Sequence, residues 1–278
     1  MNIDTTKGKG PRFYYDIAAP DIKYPGVTSI VGMLPKPFLQ FWAAKMAAEL
    51  AVDSFDFVQA IHARGGREAA VQYISGASRR YTKERSDIGT EAHDLFERMV
   101  RGEDVRHVSR DMDPYKRHFA EFLDVVQPEL VRAEDVAWSD THKYAGSFDA
   151  ILRVRLDDNG RPDPHGDVAQ VIVDWKTSKS TYPEVALQMS AYANADKVIA
   201  PDGTEEPMPA FDGAAVLHIT ADQWAFKPVQ IAEPVFGHFL HLRESFDWDR
   251  TVSKKVLGDP IASSSYGTLV TGTQRRGK

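Results

Sequence analysis

The chain has 278 residues and contains no cysteine. This absence excludes disulfide bonds, thiol catalysis, zinc–thiolate sites and any iron–sulfur cluster held by cysteines. Long apolar runs are missing too, since no stretch approaches the roughly 18 residues that a membrane span requires. The N-terminal segment MNIDTTKGKGPRF lacks the apolar core of a secretory signal, so we expect a cytoplasmic protein with no membrane partner.

The sequence also lacks a phosphate-binding G-x-x-x-x-G-K-[ST] loop, so we expect no built-in nucleotide-driven motor. A net charge of −6 argues weakly against a surface coated in basic residues. Basic residues are nevertheless concentrated in the run RRYTKER, which begins with Arg79 and Arg80, and at both chain ends. Taken alone, this run is typical of a solvated helix end.

Apolar periodicity divides the chain into a mostly helical first part and a strand-rich remainder. Helical spacing predicts helices over 37–51, 53–63, 67–82, 112–126, 183–198 and 232–246, and one that begins at Ser86 or Asp87 and ends near Val100. Strands are predicted over 130–138, 147–155 and 169–175, with a hairpin over 214–229.

The order of these elements predicts an α/β or α+β fold with a mixed central sheet flanked by helices. We expect three regions: a mostly helical N-terminal region packed on the core (1–85), the core itself (86–250) and a flexible C-terminal tail (251–278). The polar first 25 residues are predicted to be irregular, whereas VTSIVGM (27–33) fits either a short strand or the start of a helix.

Charged side chains follow the apolar strand in VIVDWKTSKS, where Asp174 and Lys176 are two residues apart and therefore face the same side of the sheet. Asp149 begins another predicted strand, in YAGSFDAILRV. Two carboxylates at one place suit Mg²⁺ or Mn²⁺, and a neighbouring lysine can stabilise negative charge or orient water. This combination favours phosphoryl transfer to water, although an acid and a lysine at this spacing also form ordinary surface salt bridges.

Two predicted helices carry further polar groups on one face. In IGTEAHDLFERMV, Thr90, His93 and Glu97 share a face beside the apolar stripe, an arrangement that an exposed histidine–glutamate pair would also produce. In QMSAY, Gln188 and Tyr192 share a face and could contact phosphate oxygens or a base.

In the order GTEAH with Glu97, GSFD, DWKT and QMSAY, these motifs resemble the PD-(D/E)XK nuclease superfamily, specifically its RecB-like exonuclease branch, over about residues 86–195. The N-terminal segment also looks like the start of phage-encoded members. The resemblance implies a restriction-endonuclease-like core. Many relatives carry four cysteines that hold an iron–sulfur cluster, so this chain resembles the cluster-free members.

The resemblance also implies roles for individual residues. His93, Asp149, Asp174 and the backbone carbonyl of Trp175 would bind Mg²⁺ or Mn²⁺, and Lys176 would be the catalytic lysine. Glu97 would support the metal shell, and Glu134 is a further acidic candidate on the preceding strand. The residues expected to contact DNA are Thr90, Thr177, Lys179, Gln188, Tyr192, Arg79 and Arg80.

The function implied is a metal-dependent DNA exonuclease that acts in phage recombination or DNA processing within the host cytoplasm, with a single-strand annealing protein as a candidate partner. A structure-specific or nicking endonuclease on the same core is one alternative, and a non-catalytic DNA-end-binding protein is another. Some relatives form ring-shaped trimers, so a homo-oligomer is compatible with this interpretation.

Overall fold

A five-stranded sheet with helices on both faces forms the centre of the structure, a computed structural model that describes residues 1–8, 10–259 and 261–262. The strands within these residues are β1 (Ile3–Thr5), β2 (Phe13–Asp16), β3 (Tyr24–Pro25), β4 (Glu129–Ala133), β5 (Val136–Ser139), β6 (Tyr144–Ser147), β7 (Ala150–Leu156), β8 (Asp167–Lys176), β9 (Lys197–Ile199), β10 (Glu205–Pro207), β11 (Gly213–Ile219) and β12 (Trp224–Val229). The α-helices are α1 (Val27–Val31), α2 (Phe38–Asp53), α3 (Phe55–Ser75), α4 (Ala77–Val100), α5 (Asp113–Val126), α6 (Glu184–Ala193) and α7 (Glu233–Asp247). The predicted mixed α+β architecture with a helical N-terminal region is confirmed.

The central sheet has the strand order β12–β11–β8–β7–β4, with β8 and β11 parallel and the other pairs antiparallel. Strand β8 therefore has a partner on each side. Its apolar run from Val171 to Val173 is buried, as expected for a strand covered on both faces. The end of β8, which carries Asp174 and Lys176, is thus held by a rigid part of the molecule.

The two faces of the sheet are covered by different helices. Helices α1, α6 and α7 contribute to the apolar cluster on one face, and α4 and α5 contribute to the cluster on the other. Alternation along β8 sends the Trp175 indole to the α4–α5 side, where its ring lies 5.5 Å from that of Phe119 and 6.5 Å from that of Phe96. The neighbouring Asp174 faces the α6 side, so the tryptophan anchors the strand beneath the acid.

The predicted helix start at Ser86 or Asp87 is wrong, because α4 begins at Ala77. Asp87 pairs instead with Lys83 at 2.6 Å, one turn earlier in the same helix. The break predicted near Gly66 is a kink inside α3, where φ is 76° and ψ is −178°, a conformation open to glycine alone. We call residues 38–86, comprising α2, α3 and the first part of α4, the helical arm.

The strands predicted over 130–138 and 147–155 are each divided in two. Strand β4 belongs to the central sheet, whereas β5 joins a four-stranded sheet of order β10–β9–β5–β6. The chain changes sheet at Glu134, whose φ is +58°. The first 25 residues are not irregular throughout, as predicted, because Ile3–Thr5, Phe13–Asp16 and Tyr24–Pro25 form a three-stranded sheet of order β1–β2–β3.

Other differences are smaller. The helix predicted over 183–198 ends at Ala193 and is followed by β9, while VTSIVGM begins as a helix. The hairpin of β11 and β12 is confirmed, with Ala214 opposite Val229. Residues 248–255 form helical turns rather than the start of a loose tail, and residues 260 and 263–278 of that predicted tail lie outside the described residues. None of the helices in the described ranges has the length and apolar character that a membrane crossing demands.

Candidate metal centre

The polar residues of four motifs converge where β8 ends, between α4 and α6. Together with Glu134, they come from five places in the fold: His93 from α4, Glu134 from the turn between β4 and β5, Asp149 from the residue before β7, Asp174 and Lys176 from the end of β8, and Gln188 from α6. The convergence follows from the sheet, because β7 pairs with both β4 and β8.

Three of these residues form a cluster able to hold a cation. One ligand atom each from His93, Glu134 and Asp149 lie within 4.8 Å of one another. His93 Nδ1 lies 3.3 Å from Asp149 Oδ1. One imidazole nitrogen and two carboxylates suit a divalent first-row metal, and carboxylate oxygens suit Mg²⁺ or Mn²⁺. The donor set therefore fits the metal expected from the motifs.

Of the three residues in this cluster, Glu134 is the one that the sequence predicted only as a further acidic candidate, since it lies outside the motifs. Its N–H donates to the carbonyl of Asp149 at 3.1 Å, and Arg101 donates to the carbonyl of Ala133 at 3.0 Å. A positive φ is unfavourable for a glutamate, and such strain persists where surrounding contacts impose it. The turn thus holds the Glu134 carboxylate against Asp149. The motif order contained no signal for Arg101.

Asp149 joins the metal cluster to the central sheet. Its Oδ2 accepts a hydrogen bond of 2.5 Å from the backbone N–H of Trp175, while Oδ1 faces His93. The contact that the structure gives for the Trp175 backbone at this site is therefore made by its N–H, whereas the sequence predicts its carbonyl as a metal ligand. Gly146, three residues before Asp149, must lack a side chain because a Cβ there would lie 2.8 Å from the Tyr192 ring.

Asp174 is nearly inaccessible to solvent, at 2% exposure, and lies outside the cluster of His93, Glu134 and Asp149. Its Oδ1 accepts a hydrogen bond of 3.0 Å from Gln188, and its Oδ2 forms an ion pair with Lys176. Burial raises the pKa of Asp174 to about 6.

Gln188 and Tyr192 lie on α6 and are linked to Asp174 by hydrogen bonds of the Gln188 amide. The Gln188 amide donates to the Tyr192 hydroxyl at 3.1 Å as well as to Asp174. Tyr192 is 1% exposed, and burial raises its pKa well above the usual value for a phenol, so it stays protonated. Its ring is therefore enclosed and cannot stack on a base in this conformation, contrary to the DNA contact expected for it.

Glu97 and Thr90 are engaged within their own helix. Glu97 pairs with Arg101 at 2.8 Å, and Thr90 donates to the carbonyl of Ser86 at 3.0 Å. Glu97 is nevertheless close enough to affect Glu134. Burial, together with the charges of Asp149 and Glu97, raises the pKa of Glu134 to about 7.

The other residues expected to contact DNA lie in two places. Thr90, Thr177 and Lys179 lie at the rim of the site, and Arg79 and Arg80 lie on the helical arm. Arg79 and Lys179 are exposed, whereas Arg80 donates to the Tyr73 carbonyl at 2.8 Å and lies over its ring. Thr177 is half-buried.

Comparison of the chain with protein-family models and with curated proteins finds no match. Function is therefore inferred from the residues of the site. Those residues combine a metal-ligand cluster, a buried carboxylate and a lysine at the end of a central strand.

Proposed function

We propose that the protein is a Mg²⁺- or Mn²⁺-dependent deoxyribonuclease of the PD-(D/E)XK superfamily, in its RecB-like branch, that removes nucleotides from DNA ends. The observation that carries the proposal is the convergence of Lys176, Asp174 and the cluster of His93, Glu134 and Asp149 at the end of β8. The order of elements from α4 through β7, β8 and α6 to β11 accompanies the motif order and supports the same assignment.

The metal would be held by His93, Glu134 and Asp149, with Asp174 and the Trp175 carbonyl adjoining. A bound Mg²⁺ or Mn²⁺ supplies Lewis-acid stabilisation of the negative charge that develops on a phosphodiester. The absence of cysteine excludes an iron–sulfur cluster from the site. His93 and Asp149 are preorganised by their mutual contact, so little rearrangement is needed for them to act as ligands.

Lys176 would supply the second positive charge. Its ammonium is oriented by Asp174 and lies 3.5 Å from the Gln188 side-chain oxygen. Such a group can donate to a non-bridging phosphate oxygen and stabilise the charge that builds up during attack by water. Because β8 is paired on both sides, Lys176 and Asp174 keep their places without a conformational change.

The DNA strand would approach across the rim formed by Thr90, Thr177 and Lys179, with Arg79 and Arg80 behind it on the helical arm. In the biological setting we propose, the enzyme resects ends during phage recombination in the host cytoplasm and hands a single strand to an annealing protein. An end-dependent nuclease without a motor of its own suits this role, since the sequence has no nucleotide-binding loop.

The test follows degradation of linear and covalently closed DNA side by side, with Mg²⁺ or Mn²⁺. The variants are Asp174→Ala and Lys176→Ala, and the matched control is Lys255→Ala, an exposed lysine on the last helical turn. Loss of the linear form alone, abolished in both site variants and kept in the control, is the expected result. Cleavage of closed circles would indicate an endonuclease, and DNA binding without any cleavage would overturn the catalytic proposal.

A further inference from the structure

The helical arm exposes apolar side chains that the fold does not use. None of the 16 residues of α2 is buried, and Ala70 is the buried residue of α3. The aromatic residues of the arm that are between 45% and 77% exposed are Phe38, Phe41, Phe55, Phe57 and Tyr81. Exposed aromatic clusters of this kind mark binding surfaces more often than they serve the stability of the protein that carries them.

The second half of the arm is basic, although the arm as a whole (38–86) holds seven lysine or arginine residues and five acidic residues. Residues 64–85 contain six lysine or arginine residues and two glutamates, whereas the whole chain carries −6. Two aromatic pairs each have one ring in this basic segment: Trp42 and Tyr81 meet edge to face at 5.9 Å, and Phe57 and Tyr73 at 5.3 Å. The rings are therefore held in place before any ligand arrives.

The arm is attached directly beside the candidate metal centre. At its start, Lys36 pairs with Glu184 at 2.9 Å, and near its end Arg85 donates to the Thr177 carbonyl at 3.3 Å. These two attachments flank the segment 177–184, which follows Lys176. Helix α4 is continuous from the arm to His93, about 18 Å from Tyr81 at 1.5 Å per residue.

We propose that the helical arm binds single-stranded DNA and guides that strand to Lys176. Exposed rings can stack on unpaired bases, which a duplex hides, and interspersed arginines neutralise the phosphates between them. This inference rests on the proposed function, because it assigns the arm to the same DNA substrate. It adds that the strand is unpaired where it crosses the arm.

A protein partner is the competing occupant of this surface, and a second copy of the chain is its simplest form. The cores of protein interfaces are depleted in charge, whereas here six lysine or arginine residues lie on α3 and α4 between and beside the rings of Phe57, Tyr73 and Tyr81. The charge therefore favours a polyanion over an apolar protein face.

The first experiment measures binding of the full-length protein to fluorescein-labelled oligothymidylate of about 20 nucleotides and to a duplex of equal length, with EDTA present to prevent cleavage. The aromatic variant is Phe41→Ala with Phe55→Ala, and its matched control is Trp248→Ala, an aromatic residue 54% exposed beyond α7. We expect the single strand to bind more tightly than the duplex. The double aromatic variant should bind it at least about fivefold more weakly, and the control should not change.

The second experiment compares salt dependence. Arg64→Ala with Arg67→Ala should reduce the slope of log affinity against log salt by about 1.4 for a single strand, whereas the control pair Lys254→Ala with Lys255→Ala should leave it unchanged. Circular dichroism shows whether each variant remains folded. If a variant fails to fold, its place is taken by Phe41→Ser or Arg67→Gln, single changes at exposed positions.

Equal binding by the wild type and both arm variants, or preference for the duplex, would overturn the inference. So would a wild-type dimer that Phe41→Ala makes monomeric, since the surface would then be an interface between copies. Because binding is measured without metal, the two proposals can fail separately. Arm-dependent binding without cleavage would remove the nuclease proposal alone, and cleavage with binding independent of the arm would remove only the inference about the arm.

Discussion

The carboxylate of Asp149 accepts a 2.5 Å hydrogen bond from the backbone N–H of Trp175, which joins the start of β7 to the end of β8. Its second oxygen faces His93. One side chain thus closes the sheet beside the site and contributes to the candidate metal cluster. These two tasks can be separated by substitution.

Replacing Asp149 with asparagine should keep an acceptor for the Trp175 N–H and remove the charge that binds metal. In EDTA we expect the free energy of unfolding of Asp149→Asn to stay within about 1 kcal/mol of the wild type, while Asp149→Ala loses about 1–3 kcal/mol by leaving the N–H without a partner. Urea denaturation with and without Mn²⁺ measures both effects. An Asp149→Asn protein that Mn²⁺ stabilises as much as the wild type would contradict the assigned role.

Replacing Lys176 with methionine should destabilise the protein as well as stop cleavage. The carboxylate of Asp174 is buried, so removing its ionic partner leaves an uncompensated charge that costs about 3 kcal/mol. The double variant Asp174→Asn with Lys176→Met should recover most of this stability but no activity. Denaturation and DNA degradation are measured on the same samples. Failure of the double variant to recover would show that the pair does not act as a unit.

Replacing Glu134 with glutamine should weaken Mn²⁺ binding at least about tenfold, a loss seen even for residues that only support metal ligands. Glu129→Gln is the matched control, because Glu129 lies on β4, is exposed and pairs with Arg153 away from the cluster. Titration calorimetry gives the affinity. If both variants bind Mn²⁺ like the wild type, the ion is held without Glu134.

Stability without metal should fall as the pH rises from about 4 to about 7. Burial raises the pKa of Asp174 to about 6 and that of Glu134 to about 7, so the folded protein keeps protons that the unfolded chain releases. The unfolded state then binds fewer protons, and the free energy of unfolding decreases by up to about 3 kcal/mol for each of the two acids across this range. Urea denaturation in EDTA over a pH series checks this.

Two further pH profiles, one of the Glu134→Gln variant and one in saturating Mn²⁺, test which groups cause this pH dependence. Glu134→Gln should flatten the upper part of the profile, and saturating Mn²⁺ should reverse the decline, since ionised carboxylates bind the metal more tightly. A metal-free profile that is flat or rising between about pH 5 and 7 would contradict the burial assigned to these two acids.

Several elements could be predicted because their signals are local. Strand β8 is a β-branched run, α5 has apolar residues at helical spacing with Pro114 at its start, and the β11–β12 hairpin alternates with a short turn. In each of these elements, the residues that form the hydrophobic pattern and those that mark the ends of the element are close together in sequence. The motif residues at the end of β8 and just before β7 could be predicted as candidate site residues for the same reason.

The boundaries that failed depend on contacts distant in sequence. The strand predicted over 130–138 runs through Glu134, and the turn-favouring Asp135 alone does not fix a bend there. The chain bends at Glu134 because Asp149 and Arg101 bind the turn backbone. Both partners lie outside the nine-residue segment 130–138, so the sequence of that segment does not reveal them. The start of α4 was missed because Ser86 is a good capping residue in isolation, although the helix is already formed before it.

Composition and periodicity were sufficient for the fold class, and the lack of cysteine excludes a cysteine-held iron–sulfur cluster. The prediction of Lys176 and Asp149 as site residues came from motif order. Each of these inferences depends on residue types and short spacings. Which residues form the candidate metal cluster was decided by the tertiary structure. The pairing of β7 with β4 brings Glu134 to Asp149, whereas Asp174 contacts Lys176 and Gln188. Distances between side chains on different elements are set by sheet register and helix packing, and these long-range arrangements are formed when the chain folds.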